Sequence, residues 1–141
     1  MERSFYMDHI DEHTVAVDAP AQDVRAAVLR ALRGAFGGST PVARVLGCEP
    51  ASGTSTFEGR VGDALPGFRV VAADARTLAL EGRHRFSHYR LTFLHDDGVL
   101  RARTDADFPG LHGRLYGAAV IGSGGHRILT RRLLHRAARL A

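Results

Sequence analysis

Val15-Ala16-Val17-Asp18-Ala19-Pro20-Ala21-Gln22-Asp23-Val24 changes its hydrophobic period midway, and that change decides the fold. From His13 to Asp18 the apolar residues alternate through Val15 and Val17, the repeat of a half-buried strand. Pro20 stops the strand, and proline is tolerated in the first turn of a helix because the N–H it lacks would be unpaired there. Behind it Val24, Ala27, Val28, Ala31 and Leu32 recur at helical spacing, with Gln22, Arg25, Arg30 and Arg33 on the opposite face. Gly34, Gly37 and Gly38 end this helix. Pro41 to Leu46 predicts a second, shorter helix that turns the chain back toward a sheet.

From Thr54 to Ala106 the pattern becomes short β-rich runs between turn signals. Strands are expected near Thr54 to Val61, Gly67 to Ala73, Thr77 to Phe86, His88 to His95 and Val99 to Asp105. Turns fall at Leu65-Pro66-Gly67, Ala73 to Arg76 and Asp96-Asp97-Gly98. Connections this short make neighbouring strands antiparallel. Alternation puts Leu78, Leu80, Gly82, His84 and Phe86 on one face, with Tyr89, Leu91 and Phe93 on the next strand and Leu100, Ala102, Thr104 and Ala106 on the last. Glu81, Arg83, Arg85, Arg101, Arg103 and Asp105 occupy the wet face.

Pro109-Gly110 marks the entry to a closing helix that runs nearly to Ala141. Leu111, Leu115, Ala118, Ala119 and Gly122 form one stripe; Leu129, Leu133, Leu134, Ala137 and Leu140 form another. Between them lies Gly122-Ser123-Gly124-Gly125. Each glycine costs roughly 1 kcal/mol relative to Ala in a helix, so the run either breaks the helix or leaves space beside it. A continuous or kinked helix with room for a cavity is the favoured reading.

A chain of 141 residues fits one domain, 1–141, with residues 1–12 expected to be less ordered. The polar, acidic start does not read as a signal peptide. No apolar run approaches the roughly 20 residues of a membrane span. Cys48 is the single cysteine, so no internal disulfide is available and a cytoplasmic location fits. The net charge is +4, all nineteen basic side chains are Arg, and no Asp or Glu follows Asp107. Arg without Lys beside so much Ala and Gly is read as the mark of a GC-rich, bacterial genome. Arg127, Arg131, Arg132, Arg136 and Arg139 spread opposite the leucine stripe, as on helices that lie on anionic membranes. The favoured alternative is a core helix with an Arg-rich outer face, and nucleic acid is disfavoured because no aromatic stacking run accompanies the arginines.

The opening strand-to-helix stretch, then Pro66-Gly67-Phe68-Arg69-Val70, then Arg85 to Phe93, then the closing helix, together resemble the SRPBCC superfamily, also called START-like, Bet v 1-like or polyketide cyclase/dehydrase-like proteins. The resemblance covers nearly the whole chain from His13. It implies an α+β helix-grip fold: a curved antiparallel sheet wrapped around a long C-terminal helix, with one or two short helices after the first strand. It also implies binding of hydrophobic ligands such as lipids, sterols or polyketides, with cyclisation or aromatisation in some members. Arg25 departs from the pattern, since many members carry Trp there.

The expected ligand site lies between the apolar sheet face and the middle of the last helix, lined by Leu80, His84, Phe86, Tyr89, Leu91, Thr104, Leu115 and Ile121. His84 is the titratable group in an otherwise apolar row; it either orients a ligand hydroxyl or carbonyl or sits hydrogen-bonded at the sheet rim. On a continuing strand His84 and His88 lie roughly 13 Å apart, too far to share one ion, so no metal site is expected. No catalytic residue is assigned, Cys48 and Ser123 read as structural, and no cofactor is expected. The expected partner is a hydrophobic small molecule, and a homodimer is compatible with the sequence. The competing reading is a cyclase, aromatase or dehydratase using the same cavity, which needs an acid and base converging inside it.

Overall fold

A computed structural model describes residues 8–85, 87–107 and 125–141. β1 (Asp8–Ala16) leads through Pro20 into α1 (Ala21–Phe36), followed by α2 (Thr40–Leu46). Then come β2 (Ala64–Leu65), β3 (Phe68–Ala73), β4 (Thr77–Arg83), β5 (His88–Asp96) and β6 (Val99–Asp107), and α3 (Gly125–Leu140) closes the chain. The strands form one antiparallel sheet in the order β1-β6-β5-β4-β3-β2. This is the expected α+β helix-grip arrangement. Register irregularities between His9 and Asp11 and between Val70 and Ala72 add bend to the sheet.

The turns carry the chemistry expected of them. Asp97 and Gly98 take φ of 49° and 72°, the left-handed pair that joins two strands with the right twist. Asp74 Oδ1 accepts from the Arg76 and Thr77 N–H groups at 2.9 and 2.8 Å, closing the β3–β4 turn.

Pairing fixes the faces. Val70, Leu80, Leu91 and Thr104 stand opposite one another across four strands, and Gly82, Tyr89 and Ala106 form the next row. On the other face Arg69, Glu81, Arg90 and Asp105 alternate in sign along one row, and Arg90 is ion-paired with Glu81. α1 buries Val24, Ala27, Val28, Leu29, Ala31 and Leu32. α3 buries Leu133, Leu134 and Ala137 and packs against α1, β1 and β6.

Several expectations need correction. Thr54 to Val61 is not a strand. Its side chains bond its own backbone: Thr54 Oγ1 donates to Thr56 O at 2.8 Å, and Asp63 Oδ2 accepts from the Glu58 and Arg60 N–H groups at 2.9 and 3.1 Å. Phe57 from this loop is buried in the core. Arg25 and Arg33, read as wet-face residues, hold the loop to α1 by donating to Gly59 O and Phe57 O, each at 2.9 Å. β4 stops at Arg83, because His84 N–H donates to Ser87 O at 3.0 Å and turns the chain. In α3 the leucine stripe does not go inside whole: Leu129 is 49% exposed. Phe86, the stretch from Pro109 to Ser123, and Gly124 lie outside the described residues, and with them the expected stripe from Leu111 to Gly122 and the helix entry.

Candidate apolar cleft

Among the described residues, the curved sheet and the helices leave a space between them. Between them lies a cleft of about 400 Å³, within the range of small-molecule sites. Tyr89, Leu91, Thr104 and Ala106 supply the sheet wall. Phe36 at the end of α1, with Val42, Ala43 and Leu46 on α2, faces them. Leu129, Thr130 and Leu133 of α3 close a third side.

Of the residues expected to line a ligand site, His84, Tyr89, Leu91 and Thr104 are found along this cleft. Leu80 is fully buried in the core, paired with Val70 and Leu91. Phe86, Leu115 and Ile121 lie outside the described residues. The wall contributed by Phe36, α2 and Phe68 escaped the sequence reading. Alternation along a strand reports its face, but which helix lies across from that face depends on the path of the chain between them. The hint available was Ala43 and Leu46, three apart on a short helix, the spacing of one helical face.

Aromatic contacts build one end. The Phe36 ring packs at 4.8 Å against Phe68, tilted by 49°; the Phe68 ring meets Tyr89 edge-on at 5.2 Å, and the Tyr89 ring lies 5.6 Å from His84. Tyr89 Oη donates to Gly67 O at 2.6 Å. That approach exists because Gly82 has no side chain: a Cβ there would overlap the Gly67 oxygen. Burial raises the Cys48 thiol above its ordinary pKa, partly offset by a hydrogen bond with Tyr89, so the thiol stays protonated at neutral pH. His84 Nε2 lies 3.2 Å from Ser87 Oγ.

Thr104 stands apart. It is 5% exposed, and its Oγ1 has no hydrogen-bond partner among the described residues. An unpaired buried hydroxyl costs about 1–3 kcal/mol.

Burial holds the His84 imidazole below its ordinary value of 6.5. The unfolded chain therefore takes up this proton more readily than the native protein, so the stability that His84 contributes is full above 6.5 and drains away as pH falls through the lower native value. His84→Gln should flatten the fall in urea midpoint between about pH 7 and about pH 5. An unchanged slope would mean that His84 is solvated in the native protein.

No family model matches the chain, and no curated protein does. Solved structures do. Protein CV1439 from Chromobacterium violaceum aligns over 93% of this chain and 96% of its own, with a TM-score of 0.51 and 14% identity. The Polyketide_cyc-like protein Cgl2372 from Corynebacterium glutamicum aligns over 94% and 91%, at a TM-score of 0.46 and 17% identity. DynU16, from the dynemicin biosynthetic locus, gives 0.46 and 17% over 94% of this chain, which spans only 46% of DynU16. At such identities the likeness is one of fold. The fold is of the helix-grip type anticipated from the opening strand and helix.

Proposed function

We propose that the protein binds a hydrophobic small molecule, lipid- or polyketide-like, in the cleft between the sheet and α3. The observation that carries this reading is the cleft itself: about 400 Å³ of space walled mainly by Phe, Leu, Val and Ala side chains. The competing enzyme reading needs an acid and a base free to act inside. Here the polar side chains at the aromatic end are engaged locally, Tyr89 with Gly67 and His84 with Ser87, which favours a container over a catalyst. Native mass spectrometry of freshly purified protein should show a co-purified apolar ligand, and a naphthalene-based probe should bind saturably and be displaced by it. A protein that leaves purification empty and binds no apolar probe saturably would end this reading.

A second reading draws on the rim. Ile128 and Leu129, near the start of α3, are about half exposed and close in sequence to exposed Arg131 and Arg132. Val42 and Val45 on α2 are 61% and 74% exposed. Apolar side chains among arginines suit transient contact with an anionic lipid surface from which an apolar ligand is collected. No helix among the described residues is long and apolar enough to cross a membrane. Co-sedimentation with anionic vesicles, weakened by salt and by Leu129→Ser with Val45→Ser, is the expected result. Equal sedimentation with neutral vesicles would remove the electrostatic part of this reading.

A further inference from the structure

Among the described residues that line the cleft, one buried polar side-chain atom lacks a hydrogen-bond partner. Tyr89 Oη is bonded to Gly67 O, His84 Nε2 lies beside Ser87 Oγ, and the guanidinium of Arg90, which borders the cleft, is paired with Glu81 on the other face of the sheet. Thr104 Oγ1 has no partner among the described residues, although Thr104 is 5% exposed and lines the cleft. Its position is set by the sheet. It lies in one row with Leu91 and Leu80, flanked along β6 by Ala102 and Ala106, so its surroundings on that face are apolar. Replacing it with an apolar residue of the same shape would cost the fold little or nothing. A hydroxyl kept there contributes only when something enters the cleft to pair with it.

We propose that Thr104 is the polar anchor of the cleft, and that the ligand is a neutral, mainly apolar molecule whose ketone or hydroxyl oxygen reaches Thr104 Oγ1. This rests on the ligand-binding reading above. A threonine hydroxyl donates to a carbonyl or accepts from a hydroxyl, so both oxygens are served. A carboxylate is not. No unpaired cation faces this site among the described lining residues, and burying an unpaired charge costs far more than one hydrogen bond returns. A pure hydrocarbon fills the same space but leaves the hydroxyl unpaired.

Three probes of nearly identical shape separate these cases: 2-acetylnaphthalene, its hydrocarbon isostere 2-isopropenylnaphthalene, and the anion 2-naphthoate. Their affinities for wild type and Thr104→Val are measured by equilibrium dialysis, with melting curves of both ligand-free proteins. Wild type should bind the ketone about tenfold more tightly than the hydrocarbon, and the anion weakest. Thr104→Val should erase the preference by weakening the ketone about tenfold while leaving the hydrocarbon within about twofold, and should melt no lower than wild type. Equal binding of ketone and hydrocarbon by wild type overturns the anchor while leaving the container intact. So does an equal loss of both in the variant, or a lower melting temperature, which would reveal a structural partner for Oγ1. Anion binding as tight as the ketone overturns neutrality. If none of the three binds, the container reading falls and the anchor with it.

Discussion

Removing residues 127–141 should leave a chain that does not fold. The segment takes Leu133, Leu134 and Ala137 out of the core at once, each 5% exposed or less, and uncovers the faces of α1, β1 and β6 against which α3 packs. Burial of one leucine is worth roughly 1.5–3 kcal/mol. Two leucines, an alanine and the partners they cover together approach or exceed the whole stability of an ordinary domain, about 5–15 kcal/mol. The truncated chain should be insoluble or lack a cooperative transition. Leu134→Ala tests the same packing without deleting backbone. Leu134 is 1% exposed, so the change should cost about 2–5 kcal/mol in a urea titration while the protein still folds. A truncated protein that melts like the full chain would make α3 a peripheral helix and open the cleft along one whole side.

That expectation also measures what the sequence could say. The leucines of α3 are spaced so that one helical face is visible, but spacing alone does not tell where along that face the sheet stops. Leu133 and Leu134 go inside; Leu129, one turn earlier, stands at the edge of the cleft with half its surface free. The core faces of β4, β5 and β6 were legible from alternation, although Ala79 and Asp105, on the opposite face, are buried as well. The Asp97-Gly98 turn was legible for a different reason, since few other pairs adopt two left-handed residues in succession. The loop from Thr54 to Asp63 was not legible as a loop. Its Thr and Phe residues carry strand propensity, and the side-chain bonds from Thr54 and Asp63 that overrule it depend on where the chain turns. Arg25 and Arg33 were misread for a related reason: a surface position on α1 becomes a loop anchor only once the loop lies over it.

For the site the division is the same. Thr104, Tyr89 and Leu91 could be placed on the cavity face by counting along a strand, and His84 by extending that count past Arg83, although the chain has already turned there. The α2 wall and the Phe36–Phe68–Tyr89 contacts bring together residues far apart in sequence, and no local pattern encodes that distance. Leu80 lies in the right row, between Val70 and Leu91 on the neighbouring strands, but it is fully buried and does not reach the cleft.

Gly82→Ala should be among the most damaging single-methyl additions to this chain. A Cβ at Gly82 would overlap the Gly67 carbonyl oxygen and come within 2.8 Å of both Tyr89 Oη and Cε2. The Tyr89 ring has some freedom to move. The Gly67 carbonyl has much less, because it belongs to the backbone of the β2–β3 turn, where Gly67 takes a φ of 87° that other residues rarely adopt and donates its own N–H to Pro50 O at 2.7 Å. The added methyl therefore either lifts that turn from the sheet or displaces Gly82 within β4, and both routes break the 2.6 Å bond from Tyr89. Overpacking of this kind costs about 3 kcal/mol, at the upper end of its usual range. Tyr89→Phe, which removes the same bond without the overlap, should cost only about 1 kcal/mol. Gly38→Ala supplies the control: nothing lies within 4 Å of its added Cβ, so its effect should stay within about 0.5 kcal/mol. The two larger changes should also differ in binding. Gly82→Ala moves the turn that carries Pro66, Gly67 and Phe68, all in the cleft wall, and should weaken apolar probes generally, whereas Tyr89→Phe leaves the apolar wall in place and should weaken them little. If Gly82→Ala melts within about 0.5 kcal/mol of wild type and binds the probes unchanged, the close approach of the Gly67 turn to the sheet is not part of the native structure. The cleft would then be wider at its aromatic end than the Tyr89–Gly67 contact allows.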